Sequence, residues 1–313
     1  MVYPWGHARR FNSYPEYFRK RYGERIQKLS VDAGFTCPNR DGSLGWHGCA
    51  YCNKDAFCPS YCSKDKSIRR QLLEGMEFHR VRYRKVFRYL AYFQAYSNTY
   101  APLPKLRALY EEALSVPGVI GIVVGTRPDC VDDEKLDYLS ELSRKHFVAV
   151  EYGVESCYNS SLERINRGHT FEQSVSAIKA TAMRGVRVGV HLILGLPGET
   201  RSKMLSQAEI INQLPVDTIK LHQLQITVGT AFAEQYANNP EEFQLFECEE
   251  YIDFIVQFLE RLEPRIVVER FANEMPSRYM TTPGCGLIRN VELWRMLEKR
   301  LAELDTWQGK NIS

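Results

Sequence analysis

No run of the 313-residue chain stays apolar for the roughly 18–20 positions that a membrane-spanning helix needs, and the opening MVYPWGHARRFNSY lacks the apolar core of an export signal. No membrane partner is expected, and the cytoplasm is the expected compartment. Internal repeats, low-complexity tracts and long linkers are missing too, which argues against solenoid, fibrous and disordered classes. Nor is there an excess of charge. The 41 Lys and Arg against 38 Asp and Glu leave a formal net charge of +3, too little to argue a nucleic-acid partner by itself. What remains is an ordinary globular composition, 44% hydrophobic and 25% charged, in a chain long enough for one large barrel or two smaller domains.

Local clustering says more than the totals. Arg69, Arg70, Arg80, Arg82, Arg84, Lys85 and Arg88 face only Glu74 and Glu77 in the same stretch. A solvated helix face is the commoner meaning of such a run, and an RNA-contact surface the rarer one. The nine cysteines are an odd number, and four of them crowd into residues 49–62, so metal or redox chemistry is a better reading than a disulfide framework.

The rest of the chain alternates short apolar runs with amphipathic stretches. Strands are expected at Lys28–Phe35, Lys85–Gln94, Val119–Gly125, Phe147–Val154, Val186–Gly195 and Asp217–Ile226. Helices are expected between them, at Lys66–Tyr83, Pro104–Ser115, Asp133–Lys145, Phe171–Arg184 and Glu199–Leu214. Six strand-then-helix units with short connections predict an α/β fold of parallel strands with right-handed crossovers, a partial (β/α)6 barrel with its site at the strand C-terminal ends. A doubly wound open sheet is the alternative. The expected division is an N-terminal arm (1–24), the partial barrel (25–239) and a C-terminal α-rich extension (240–313). In the extension, Pro240–Arg261 reads as one long helix, RIVVERF as a possible final strand and Val291–Leu304 as the last helix.

The first loop reads CPNRDGSLGWHGCAYC, with eleven residues between Cys37 and Cys49 and two between Cys49 and Cys52. The Cys-x-x-Cys pair brings two thiolates to one centre, and a glycine-bearing loop delivers the third. Three thiolates on a four-iron cluster would leave one iron open. Cys58 and Cys62 could instead join Cys49 and Cys52 in a zinc site, which would make the chain a zinc-stapled, nucleic-acid-binding protein. The loop follows the first expected barrel strand, where catalytic residues sit, and this favours the cluster.

The chain resembles the radical S-adenosylmethionine (SAM) superfamily, and within it the YhcC-type proteins related to the elongator catalytic subunit and to oxygen-independent coproporphyrinogen oxidases. The resemblance rests on DAGFTCPNRDGSLGWHGCAYCN, YLAYFQAYSNTYAP, VGTRPDC, YGVESCYNSSLERINRGH, HLILGLPGET and IKLHQLQITVGT, in this order. It implies a [4Fe-4S] cluster on Cys37, Cys49 and Cys52, with the amino and carboxylate groups of SAM at the open iron. It further implies that Tyr51 lies against the adenine and that the Gln94–Ser97 segment receives the methionine amino group through backbone carbonyls aided by the Gln94 and Ser97 side chains. Glu155 and Arg167 match a polar pair that contacts SAM. Gly125 and His191 fall where the coproporphyrinogen oxidases carry acidic SAM contacts, so His191 is either a ribose contact or a buried strand histidine satisfied by a neighbour. Gly195, Leu196, Pro197 and Gly198 form the turn after the fifth strand, and His222 faces the cavity from the sixth.

The resemblance thus implies reductive cleavage of SAM and hydrogen abstraction from a substrate, with electrons from a one-electron donor such as flavodoxin or ferredoxin. RNA is the candidate substrate through the elongator likeness. No acetyltransferase-like segment follows, so that enzyme's wobble-uridine chemistry is not expected here. Cys285, in the Pro- and Gly-rich TTPGCG loop, is a candidate hydrogen-atom donor or substrate contact, against the commoner meaning of a bystander thiol.

Overall fold

The computed structural model describes residues 2–53, 58–80, 86–94, 96–282 and 288–312. Seven parallel strands form one sheet in chain order: β1 (Gln27–Val31), β2 (Tyr89–Phe93), β3 (Val119–Thr126), β4 (Phe147–Glu155), β5 (Arg187–Leu194), β6 (Thr218–Gln223) and β7 (Val267–Arg270). Helix α1 (Tyr14–Tyr22) precedes β1, and α2 (Ile68–Arg80), α3 (Leu103–Leu114) and α4 (Asp133–Ser143) follow the first three strands. α5 (Asn159–Arg164) and α6 (Phe171–Met183) follow β4, and α7 (Arg201–Asn212) follows β5. α8 (Ala231–Asn238) and α9 (Cys248–Arg261) lie between β6 and β7, and α10 (Asn290–Glu303) comes last. Several helices start where the sequence supplies a cap: the side chains of Asp132, Thr170, Thr200 and Thr230 each accept a backbone N–H from the third residue on, and Thr170 with Gln173 closes a reciprocal box.

Period-two alternation sorts each strand between two environments. In β4, Val148, Val150, Tyr152 and Val154 pack outward into the core beneath the helices, whereas Glu151, Gly153 and Glu155 face the lumen. β5 behaves alike, with Val188, Val190, Leu192 and Leu194 outside and His191 and Ile193 inside. The sheet is strongly curled. Flat, six intervals of about 4.8 Å would separate β1 from β7 by roughly 29 Å; instead, Lys28 Nζ of β1 meets Glu269 Oε2 of β7 at 2.5 Å. Among the described residues β7 does not pair with β1, so the barrel is partial; a single parallel bridge joins Ser13 to Val268 beyond its edge.

The lumen fills in layers. Tyr14 and Phe18 of α1 close the N-terminal mouth by packing on Ile26, Leu90, Val123, Phe147, Ala149 and Val267. Above them lies a layer of buried charge. Glu151 accepts from Lys28, Lys220 and His191, Glu269 accepts from both lysines (2.5 and 3.2 Å), and Lys220 donates to the Tyr92 hydroxyl at 3.0 Å. Burial opposes the charge of Lys28, but Glu151 and Glu269 outweigh it and keep the ammonium protonated well beyond the ordinary lysine range. For Lys220 burial dominates and pulls it down to about 8. Burial also opposes the Glu151 carboxylate, yet Lys220 and Lys28 hold it ionised well below the usual range.

The partial barrel stands, and it carries a seventh strand, β7, within the segment read as an extension. Three details differ from expectation. The N-terminal segment contains α1; α5 and α8 occupy stretches for which no element was expected; and Pro240–Arg261 is a short 3₁₀ turn (Pro240–Glu242) followed by an irregular segment before α9. Arg82, Arg84, Lys85, Ala95 and Cys285 lie outside the described residues.

Candidate functional site

The strand C-terminal ends open into a cavity of about 300 Å³. Cys37, Cys49, Tyr51, Cys52, Gln94, Ser97, Glu155, Arg167, His191 and His222 all line it, so every expected site residue among those described is brought together. Gly125 lines it too, but offers no side chain for the ribose contact.

The thiol end is built from the first loop and the segment after α5. Cys49 Sγ receives Nη1 of Arg167 at 3.4 Å and Nδ2 of Asn39 at 3.8 Å. Arg40 donates to the carbonyl of Cys52 at 2.9 Å. Gly48 is required twice over: its φ of +73° suits glycine, and a Cβ would sit 2.7 Å from the Arg40 Nε. Arg127 clasps Asp129 through two bonds (2.8 and 2.7 Å) and donates to the carbonyl of Arg167 at 2.6 Å, which anchors the 167–169 segment to the end of β3. Beside it, burial and the Arg167 charge drive His169 down to about 3, so its ring stays neutral. Cys37, Cys49, Cys52, Cys58, Cys62, Cys130 and Cys157 are free thiols.

Strain gathers here. Tyr96, Glu155 and Asn166 are non-glycine residues with positive φ (59°, 67° and 52°), a cost that persists only where the surroundings enforce it. Glu155 follows a register shift in β4, which turns its carboxylate toward Arg167 at 3.5 Å. Arg167 also donates to the carbonyl of Gly153 at 2.7 Å. On the floor, His191 Nε2 stands 3.1 Å from Glu151 Oε2, and burial lowers its pKa, so the neutral ring donates Nε2–H to Glu151 and leaves Nδ1 as an acceptor. Gln94 Nε2 is held by Ser30 Oγ at 2.8 Å.

Among the described residues, no three His, Cys, Asp or Glu side chains converge closely enough for one metal ion. The three thiols border a shared cavity instead. The donor set is soft, with Arg167 and Asn39 directed at one sulfur and Arg40 beside another, which suits an anionic thiolate-bound cluster. Cys58 also reaches the cavity, but the Cys62 thiol bonds to it and to the Ser30 carbonyl (3.1 Å), and that bonding, with burial, pushes the Cys62 pKa up, away from a ligand thiolate.

The radical SAM superfamily model matches residues 43–209, and a radical SAM C-terminal domain model matches 216–303. The chain belongs to the radical SAM superfamily. YtqA of Bacillus subtilis is 33% identical over 96% of this chain and 92% of its own, and YhcC of Escherichia coli K12 is 36% identical over 81% and 80%, so the family is of the YhcC type. A tRNA uridine(34) acetyltransferase of Methanocaldococcus infernus is 26% identical over 50% of this chain and 29% of its own. The solved structure of Methanocaldococcus infernus Elp3 superposes with a TM-score of 0.68 at 16% identity, covering 90% of this chain and 64% of that one, a likeness of fold. This radical SAM enzyme has no helix, among the described residues, long and apolar enough to cross a membrane.

The basic stretch is largely neutralised where it is described. Arg70 pairs with Glu74 at 2.8 Å, Arg80 with Glu77 at 2.9 Å and Arg88 with Glu24 at 3.0 Å. Sequence reasoning missed Asn39, Arg40, Arg127 and the ion layer of Lys28, Glu151, Lys220 and Glu269. The last had a signal: charges at lumen-facing positions of otherwise apolar strands.

Proposed function

We propose that Cys37, Cys49 and Cys52 hold a [4Fe-4S] cluster and that the cavity beside them takes SAM against Tyr51, Gln94, Ser97, Glu155, Arg167, His191 and His222. The observation that carries this reading is the bonding of Arg167, which joins the Cys49 sulfur to the strained Glu155 and the end of β4. Bound there, the two groups would supply one-electron cleavage of SAM and hydrogen abstraction from a substrate. The chain's own part is positional. Arg167 fixes the Cys49 side of the loop, Arg127 fixes the segment that carries Arg167, and Glu151 orients His191 so that Nδ1 can accept from a ligand hydroxyl. The ion layer and α1 close the floor against water.

A small one-electron carrier of flavodoxin or ferredoxin type is the proposed reductant, and RNA the proposed substrate. The RNA reading draws on the tRNA-acting relative and on the basic run that includes Arg82, Arg84 and Lys85 in the sequence. Anaerobic purification should yield a brown protein with about four irons per chain. A colourless protein with stoichiometric zinc would overturn the cluster in favour of the zinc-stapled alternative. For RNA, Arg82→Glu with Arg84→Glu should weaken salt-sensitive tRNA binding; unchanged affinity would remove RNA as the substrate.

A further inference from the structure

Most of the lumen's charges are matched by a carboxylate, the exceptions among the described residues being Arg40, which bonds the Cys52 carbonyl beside the thiols, and Arg270. Lys28 and Lys220 are matched by Glu151 and Glu269, Arg167 by Glu155, and Arg127 by Asp129. Arg270, at the end of β7 and half-buried, lines the cavity, yet among the described residues no carboxylate pairs with it and its buried Nε has no hydrogen-bond partner. Glu274 lines the same wall, but its carboxylate accepts from the backbone N–H of Asn290 at 2.5 Å.

Next to Arg270 stand further unmet groups. His222 is only 8% exposed, and neither ring nitrogen has a partner, although the cavity lies against it. Burial, and then the Arg270 charge, keep its pKa well below the ordinary value, so it is a neutral ring with one donor and one acceptor. The Asn273 side chain lies beside the ring and opposes that lowering. Gln225 spends its amide N–H on the Asn273 carbonyl at 3.4 Å and leaves its buried Oε1 without a partner. Buried polar groups are ordinarily satisfied, so several orphans on one wall beside an unpaired guanidinium describe a surface shaped for a ligand.

We infer that this β6–β7 wall is the substrate subsite and that it binds a small anionic group of the substrate, a carboxylate or a phosphate, on Arg270, with Asn273 and the donor nitrogen of His222 bonding its oxygens and the acceptor nitrogen of His222 left to SAM. The guanidinium fork suits a two-oxygen anion, and Gln225 Oε1 accepts from a neighbouring hydroxyl or amine. This assignment rests on the reading that the cofactor lies at the thiol side; His222 then stands where cofactor and substrate meet, its ring centroid 5.2 Å from that of His191.

The test titrates inorganic phosphate and, separately, acetate into the anaerobically purified protein at constant ionic strength, following the heat of binding. Saturable binding of at least one is expected, and the stronger of the two names the group. Arg270→Gln should weaken it by about tenfold or more, and Arg270→Lys, which keeps the charge and loses the fork, by less. If the Gln variant does not fold, the Lys variant and Asn273→Ala carry the comparison. Absence of saturable binding, or equal binding by wild type and variants, overturns the inference. A second arm measures SAM binding by equilibrium dialysis with the iron-loaded protein. Unchanged SAM affinity in Arg270→Gln supports a substrate role, whereas a matching loss makes Arg270 a cofactor contact and overturns it. Failure of the wild type to hold iron would strike the proposed function alone, because the anion titration does not depend on the cluster.

Discussion

Replacing Glu151 by Gln changes a carboxylate to an amide of nearly the same shape at the centre of the ion layer. In the wild type its two oxygens serve Lys28, Lys220 and His191, and Glu269 serves both lysines again. After substitution two buried ammonium groups share one carboxylate, which leaves an uncompensated charge where Glu151 and Lys220 are each only 2% exposed. Removing one partner of such an arrangement costs about 3–5 kcal/mol, whereas an exposed pair would cost under about 1. With a urea m-value of about 3 kcal/mol/M, the midpoint should fall by roughly 1–1.7 M. The pH dependence supplies a second readout. Because the folded carboxyl lies below its unfolded value of about 4.3, its stabilisation is present above that pH and is lost as pH falls through the folded value; the Gln variant should lack this acid loss. A charge-balanced replacement, Glu151→Leu with Lys220→Met, should recover much of the stability that the single changes lose. A cost below about 1 kcal/mol for Glu151→Gln, or a double variant no better than the sum of its parts, would refute the ion layer as a coupled unit.

Cys37→Ala, Cys49→Ala and Cys52→Ala should each abolish bound iron in anaerobic preparations while Cys58→Ala and Cys62→Ala retain it; full iron in any of the first three would contradict the proposed ligand set. Gly153→Ala would put a Cβ 2.5 Å from both Arg167 Nη2 and Glu155 Oε1, so it should displace that pair and lower SAM affinity by about tenfold or more in equilibrium dialysis, with little change expected if the pair is a bystander. The His169 pKa, near 3, lies below its unfolded value of about 6.5, so this ring costs stability progressively as pH drops from about 6.5 toward 3. His169→Gln should therefore flatten the fall of melting temperature across that window, and an unchanged slope would show that the ring does not titrate as described.

The parts of this fold that could be read from sequence are those encoded locally. Val119–Thr126 and Phe147–Glu155 are apolar runs with capped helices after them, and strands of this kind announce themselves. α1 did not, because its exposed face is crowded with Arg19, Lys20 and Arg21 and its buried residues are only Tyr14 and Phe18. α5, at six residues, is too short for a period of 3.6 to repeat. Pro240–Arg261 looked continuous because its polarity is amphipathic throughout, but Phe243 packs with Phe232 near the site and Phe246 enters the main core, so the chain leaves helical geometry to bury both. The thiols were legible from their spacing. Arg167 was named through the resemblance, but its bond to the Cys49 sulfur was not, nor were the roles of Arg40 and Arg127, since these groups meet only when the loops after β1, β3 and β4 converge.

The curl that hides the ion layer from local pattern reading is also what makes the cavity one-ended. Lys28, Glu151, Lys220 and Glu269 belong to β1, β4, β6 and β7, and they can bond one another only if the sheet wraps far enough to bring its first and last strands within a side chain's reach. Once wrapped, apolar α1 residues fill the lower mouth and the paired charges consume the lumen's middle, so space for a ligand is left at the strand C-terminal ends. There the chemistry divides by charge: thiols with three guanidinium groups on one side, and a lone guanidinium with unsatisfied amides and imidazole on the other. If both proposals hold, a cofactor built from anionic sulfur and a substrate presented by an anionic group would each meet positive charge within the one cavity.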